Sequence, residues 1–112
     1  MINEVSAKTE KRLARYEKQV SVFARSSAVK QYLIGITANE KSRRAAYDRE
    51  DFDYFVLLET GLTRDEALEL ERHLFDRLRN GKKYHSEKKL SPYRKSSGGQ
   101  VGQQYSLYIA AY

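Results

Sequence analysis

The chain contains no cysteine. That excludes a disulfide framework, thiolate-bound zinc and a cysteine nucleophile. Histidine is scarce, with His73 and His85 the only two, which is too few for a histidine-based metal site. His73 falls on an expected helix surface and His85 in a loop. No stretch of 18 apolar residues occurs, so a membrane-spanning helix is not expected. The opening "MINEVSAKTEKRLARYEK" is charged and lacks the apolar run of a secretory signal. Together these features predict a cytoplasmic protein with no membrane partner. The chain has 112 residues and is 40% hydrophobic, enough for one compact domain with a modest core.

Charge is abundant and unevenly placed. The net charge is +6, from 21 basic and 15 acidic residues. Eleven of the acids lie between Glu40 and Asp76, and the flanks are basic. From Arg77 to Lys95 there are eight cations and one acid, Glu87, with Tyr84 and Tyr93 interleaved. Lys82, Lys83, Lys88, Lys89, Arg94 and Lys95 therefore read as a phosphate-binding tail, and DNA as the expected partner. A merely solvated tail is the plainer alternative.

The firmest element is the stretch "RDEALELERHLFDRL", residues 64–78. Thr63 and Glu66 form a capping-box pair, and Asn80-Gly81 is a stop signal. At 100° per residue, Leu70, Leu74, Ala67, Leu78, Phe75 and Leu68 form one apolar arc. Glu71 falls inside that arc. A desolvated carboxylate costs several kcal/mol unless a cation or donors compensate. The choice is an edge residue or structural ion pair on one side, and a functional carboxylate on the other.

Elsewhere, residues 3–19 predict a helix with a weak stripe through Val5, Leu13, Tyr16 and Val20. "VSVFA" (20–24) and "QYLIGIT" (31–37) are β-prone and predict a hairpin. "ANEKSRRAAYDRE" predicts a short helix, and "FDYFVLLET" (52–60) a strand ended by Gly61. "SSGGQVGQQ" (96–104) reads as a flexible link, and "YSLYIAAY" as a fourth strand. The expected fold is α+β: a small three-stranded antiparallel sheet flanked by helices, with an extra N-terminal helix and a basic C-terminal tail. The expected parts are a helix over 1–19, a main domain over 20–95, and a link with a terminal strand over 96–112.

From about Val20 to Leu78 this order resembles the GIY-YIG nuclease domain. "LIGIT" supplies the glycine, Gly35. Arg43 follows eight residues later and Tyr47 four beyond that. "EALELERHLFDRL" is similar to the family's glutamate helix, with Glu71 in the metal slot. "VSVFA" would stand where the family has its first tripeptide, but offers no hydroxyl. In the second tripeptide Leu33 holds the tyrosine position, and Tyr32 is displaced by one residue. A regular strand would turn Tyr32 to the other face; a bulge would restore it.

The resemblance implies a metal-dependent endonuclease, of the size of a stand-alone phage or mobile-element enzyme. Its site residues would be Arg43, Tyr47, Tyr32 and Glu71, with Mg2+ (or Mn2+) on Glu71. One carboxylate suffices for magnesium, which keeps most of its waters. Arg43 and Tyr47 are i and i+4, so they share a helix face, and they are expected to line one cleft with Glu71. Arg44 could equally take the arginine role. Cutting both strands usually needs two sites, hence a homodimer. The alternatives are a catalytically inactive module of the same fold that binds nucleic acid or protein, and an interaction protein whose "YSLYIAAY" adds to a partner as a strand.

Overall fold

The structure is a computed structural model that describes residues 6–87 and 104–112. Its elements are α1 (Ala7–Ala24), β1 (Tyr32–Thr37), α2 (Glu40–Arg49), β2 (Tyr54–Leu62), α3 (Arg64–Leu78) and β3 (Tyr105–Ala111). The fold class is as expected, an α+β arrangement with a three-stranded antiparallel sheet. Three of the four expected strands form it, and the fourth, "VSVFA", does not.

"VSVFA" is the last part of α1. Ser6 caps that helix through the Thr9 amide, and Leu13, Tyr16 and Val20 are its buried positions. Val20 continues the stripe one turn past Tyr16. That packing outweighs the modest helix penalty of β-branched residues. The expected 20–37 hairpin is therefore absent, and the expected boundary at 19/20 falls inside one helix.

"YSLYIAAY", read as an accessory strand, lies at the centre. The sheet order is β1-β3-β2, with β3 antiparallel to both neighbours. All seven β3 residues are buried, because both faces of the strand are covered and both edges are paired. It has no free edge for a partner. The terminal segment thus belongs to the core, although residues 96–103 of the expected link lie outside the described residues.

Side-chain alternation along β3 sorts the molecule into two layers. Tyr108 pairs with Gly35 and Leu57, and its ring and hydroxyl are contacted from α2. On the opposite parity, Leu107 and Ile109 pair with Ile36 and Ile34. That face carries α1 and α3. Tyr16 and Arg15 of α1 bond Glu59, the partner of Leu107. Tyr32 stacks edge-on to Tyr84, which stacks on Phe75 of α3. The two helices are joined by ion pairs from Arg77 to Glu10 and Glu17 and from Arg12 to Glu66.

Local sequence explains the helix starts. Asn39 caps α2 through the Ser42 amide. Thr63 and Glu66 form the expected capping box on α3. Gly61, with φ 69°, adopts a left-handed turn near the end of β2 that glycine tolerates best.

Candidate active site

The site grows from the α2–β3 contact. Asn39 starts α2 so that one ridge of the helix leans on the sheet. Along that ridge Glu40 accepts a hydrogen bond from Ser106. One turn on, Arg43 Nη1 donates to Tyr108 Oη at 3.2 Å. Another turn on, the Tyr47 and Tyr108 hydroxyls share a hydrogen bond of 2.9 Å. Arg44, the alternative arginine, lies over the Phe55 ring at 4.8 Å. Arg43 is therefore the arginine that belongs to this cluster.

Gly35 makes the cluster possible. A Cβ at this position would fall 2.4 Å from Tyr108 Oη and 2.6 Å from its Cζ. The glycine is required here for space rather than for backbone freedom. Gly35→Ala is expected to force Tyr108 out of its hydrogen bonds and to cost roughly 1–3 kcal/mol, as overpacking does. Adding Tyr108→Leu should recover part of that loss. Urea unfolding of the three variants checks this, and a Gly35→Ala chain as stable as the parent would refute it.

Burial raises both phenols. Tyr108 is 1% exposed. Desolvation pushes its pKa far above the ordinary value, the neighbouring Tyr47 adds to this, and Arg43 only partly opposes it. Tyr47 is raised by burial, against the pull of Tyr108 and Arg43. Near neutral pH both are neutral hydroxyls, suited to donating hydrogen bonds rather than to taking a proton. Arg43 is solvent-exposed and Tyr47 half-buried, so these two can meet a ligand while Tyr108 pins them from below. A guanidinium beside a phenol can grip the oxygens of a phosphate.

The other expected residues lie elsewhere. The register of β1 with β3 is continuous from Tyr32↔Ala111 to Thr37↔Ser106. No bulge intervenes, so Tyr32 points away from Tyr108, to the face of α3. Glu71 is indeed buried, at 8% exposure, but its helix covers that same opposite face. Arg43 and Tyr47 of the expected cleft sit together on Tyr108. Glu71 comes from the α3 layer, and its charge and Tyr47 both act on the Tyr84 phenol. The layers communicate at the β1 edge, where Tyr84 stands. Its phenol is pushed well above the ordinary range by burial first, then by the charges of Tyr32, Glu71 and Tyr47, against the backbone of Ile34.

The expected DNA-binding tail is also revised where it is described. Lys82 is exposed. The Lys83 ammonium is engaged at the end of α1, donating to the carbonyls of Ala24 at 2.7 Å and Ser26 at 3.2 Å; a cation there suits the helix dipole. Tyr84 is buried and so is not a stacking platform for bases. Lys88, Lys89, Arg94, Lys95 and Tyr93 lie outside the described residues.

Five tyrosines, Tyr16, Tyr32, Tyr47, Tyr84 and Tyr108, have raised pKa values, each chiefly through burial. Phenols in the unfolded chain ionise near pH 10. Above that pH the unfolded chain loses protons that the folded chain keeps, so stability falls as pH rises. The tyrosine contribution is complete below pH about 10. Urea unfolding is expected to show a loss of stability above that pH, with part of the phenolate absorbance appearing only on unfolding. If all nine tyrosines titrated near pH 10 in the folded chain, the buried network would be refuted.

No family model, curated protein or solved structure matches the chain. Tyr108 is the residue that sequence reasoning missed. A usable signal was present, since apart from Ser106 "YSLYIAAY" is apolar or aromatic on both parities, the pattern of a strand buried on both faces.

Proposed function

We propose that the chain is a metal-dependent endonuclease that hydrolyses DNA phosphodiester bonds. The observation that carries this reading is the Arg43–Tyr108–Tyr47 cluster packed over Gly35. The resemblance implies a hydroxyl from a strand beside the glycine-bearing strand. "VSVFA" could not supply it, and Tyr108 of β3 does. Arg43 grips the scissile phosphate through its planar fork. Tyr47 donates to a phosphoryl oxygen, and Tyr108 holds both side chains in place.

The implied cofactor is Mg2+ (or Mn2+). Among the described residues no group of three or more His, Cys, Asp or Glu is gathered. Glu71 offers an oxygen donor of the kind that magnesium prefers, and one carboxylate can hold a largely hydrated ion. Glu71 would hold it. When bound, the ion would neutralise phosphate charge and make a water easier to deprotonate.

A second reading is favoured by the placement of α3 behind the sheet: the same Arg43–Tyr47 surface binding nucleic acid without cutting it. Plasmid cleavage with and without magnesium separates the two. The parent should nick plasmid only with the metal. Glu71→Gln should lose cleavage while melting normally and still binding DNA. Binding without cleavage by the parent would favour the module. Equal cleavage by Glu71→Gln would remove the metal role.

A further inference from the structure

Among the described residues three large hydrophobic side chains stand out in solvent: Val22 at 55%, Val56 at 38% and Tyr54 at 37% exposure. All three lie on one flank, where α1 runs beside β2. Phe23 meets Tyr54 edge-on there, with ring centroids 5.8 Å apart. Between helix and strand runs a groove of about 460 Å³, lined by Val22, Phe23, Val56 and Leu58 and bordered by Lys18. Scattered exposed apolar residues need no explanation, whereas a contiguous set beside a groove marks a binding surface.

The same flank holds an open sheet edge. The outer edge of β1 is engaged, since the Tyr32 amide donates to Lys83 and the His85 amide to Tyr32. β2 is the other edge strand. Its residues 54–57 keep regular register with β3, and the irregularities begin only after Leu57. Among the described residues no backbone group pairs with their outer side. Such an edge is a template for an added strand.

Charge selects the occupant. On α1, residues Lys8, Lys11, Arg15 and Lys18 fall within an arc of about 80°, and all four are exposed. The helix acids Glu10 and Glu17 turn the other way, to Arg77. Arg15 is paired with Glu59 of β2, which places this ridge along the groove. Lys8, Lys11 and Lys18 make no ion pair among the described residues.

We propose that this flank docks an extended, acidic segment of another protein. The segment adds to β2 as a fourth strand, with apolar side chains in the groove and carboxylates against Lys11 and Lys18. A second copy fits less well. Pairing two β2 edges antiparallel would bring both cationic ridges onto one face, side by side, and like charges in an interface are costly. Nucleic acid would satisfy the ridge but would leave the strand edge unpaired and the groove empty.

The test uses the full chain, its backbone amides followed by nuclear magnetic resonance. The probe is a capped peptide alternating glutamate with valine. Saturable shifts are expected at Val22 and at residues 54–57. The affinity should fall at least tenfold in Val56→Lys and in the double variant Lys11→Glu/Lys18→Glu, and on methylating alternate peptide nitrogens of the probe. Both variants alter exposed side chains, and an unchanged melting temperature shows that the fold is kept. No shift at millimolar peptide, or equal binding of a lysine–valine peptide, would overturn the proposal. So would a DNA oligonucleotide shifting the same amides in place of the peptide, or a dimer of the free chain that Val56→Lys dissociates.

Discussion

A chain cut after Gln104 is expected to show no cooperative thermal transition. The eight residues removed include Tyr105, Leu107, Tyr108 and Ile109, each at most 2% exposed. Burying a large apolar side chain is worth about 1.5–3 kcal/mol. Four of them approach the roughly 5–15 kcal/mol that a small domain has in total. The backbone loss is larger in kind. β1 and β2 each pair with β3 and not with one another, so no sheet remains without it. Circular dichroism should show partial helix with no melting step. Supplying the missing residues as a separate peptide should restore a transition that depends on peptide concentration. A truncated chain that melted within a few degrees of the parent would refute the central placement of β3.

Arg43→Ala is expected to lower plasmid cleavage by about 10²–10³-fold, the usual loss for a preorganised charge-stabilising donor. Arg43→Lys should restore little of it, because an ammonium cannot reproduce the planar fork. Arg44→Ala should stay within a few-fold of the parent, since that side chain rests on Phe55. Tyr108→Phe tests positioning. It keeps the ring and removes the hydroxyl that both Arg43 and Tyr47 contact. Its loss should appear in kcat more than in KM, with DNA affinity nearly unchanged. If Arg43→Ala cut at the parental rate and Arg44→Ala did not, the assignment would move by one residue.

The sequence was most legible where local chemistry decides structure. The capping box at Thr63 and Glu66 and the apolar arc of residues 64–78 yield α3 with its observed ends. The burial of Glu71 was legible for the same reason. Legibility failed where tertiary packing overrides local preference. Val20 and Val22 suggest a strand, yet Val20 is drawn into the α1 stripe beneath Leu13 and Tyr16. Spatial order was hidden altogether. Nothing in a linear pattern says that β3 lies between β1 and β2, and so nothing placed Tyr108 against Arg43 and Tyr47. The sides taken by Tyr32 and Glu71 were not legible for the same cause. Their side is set by which face each helix covers, a property of the assembled sheet.

The order β1-β3-β2 also bears on how the chain comes into being. On the ribosome both outer strands are made well before the one that joins them, so each waits with its inner edge unpaired. Tyr32 must find Ala111, and Tyr54 must find the same residue. Contacts this distant in sequence slow folding, and unpaired apolar strands invite aggregation in the interval. While the outer strands wait, α1 and α3 can already pack through the ion pairs of Arg77 and Arg12. The helical layer then serves as a platform on which β3 arrives last and closes the sheet.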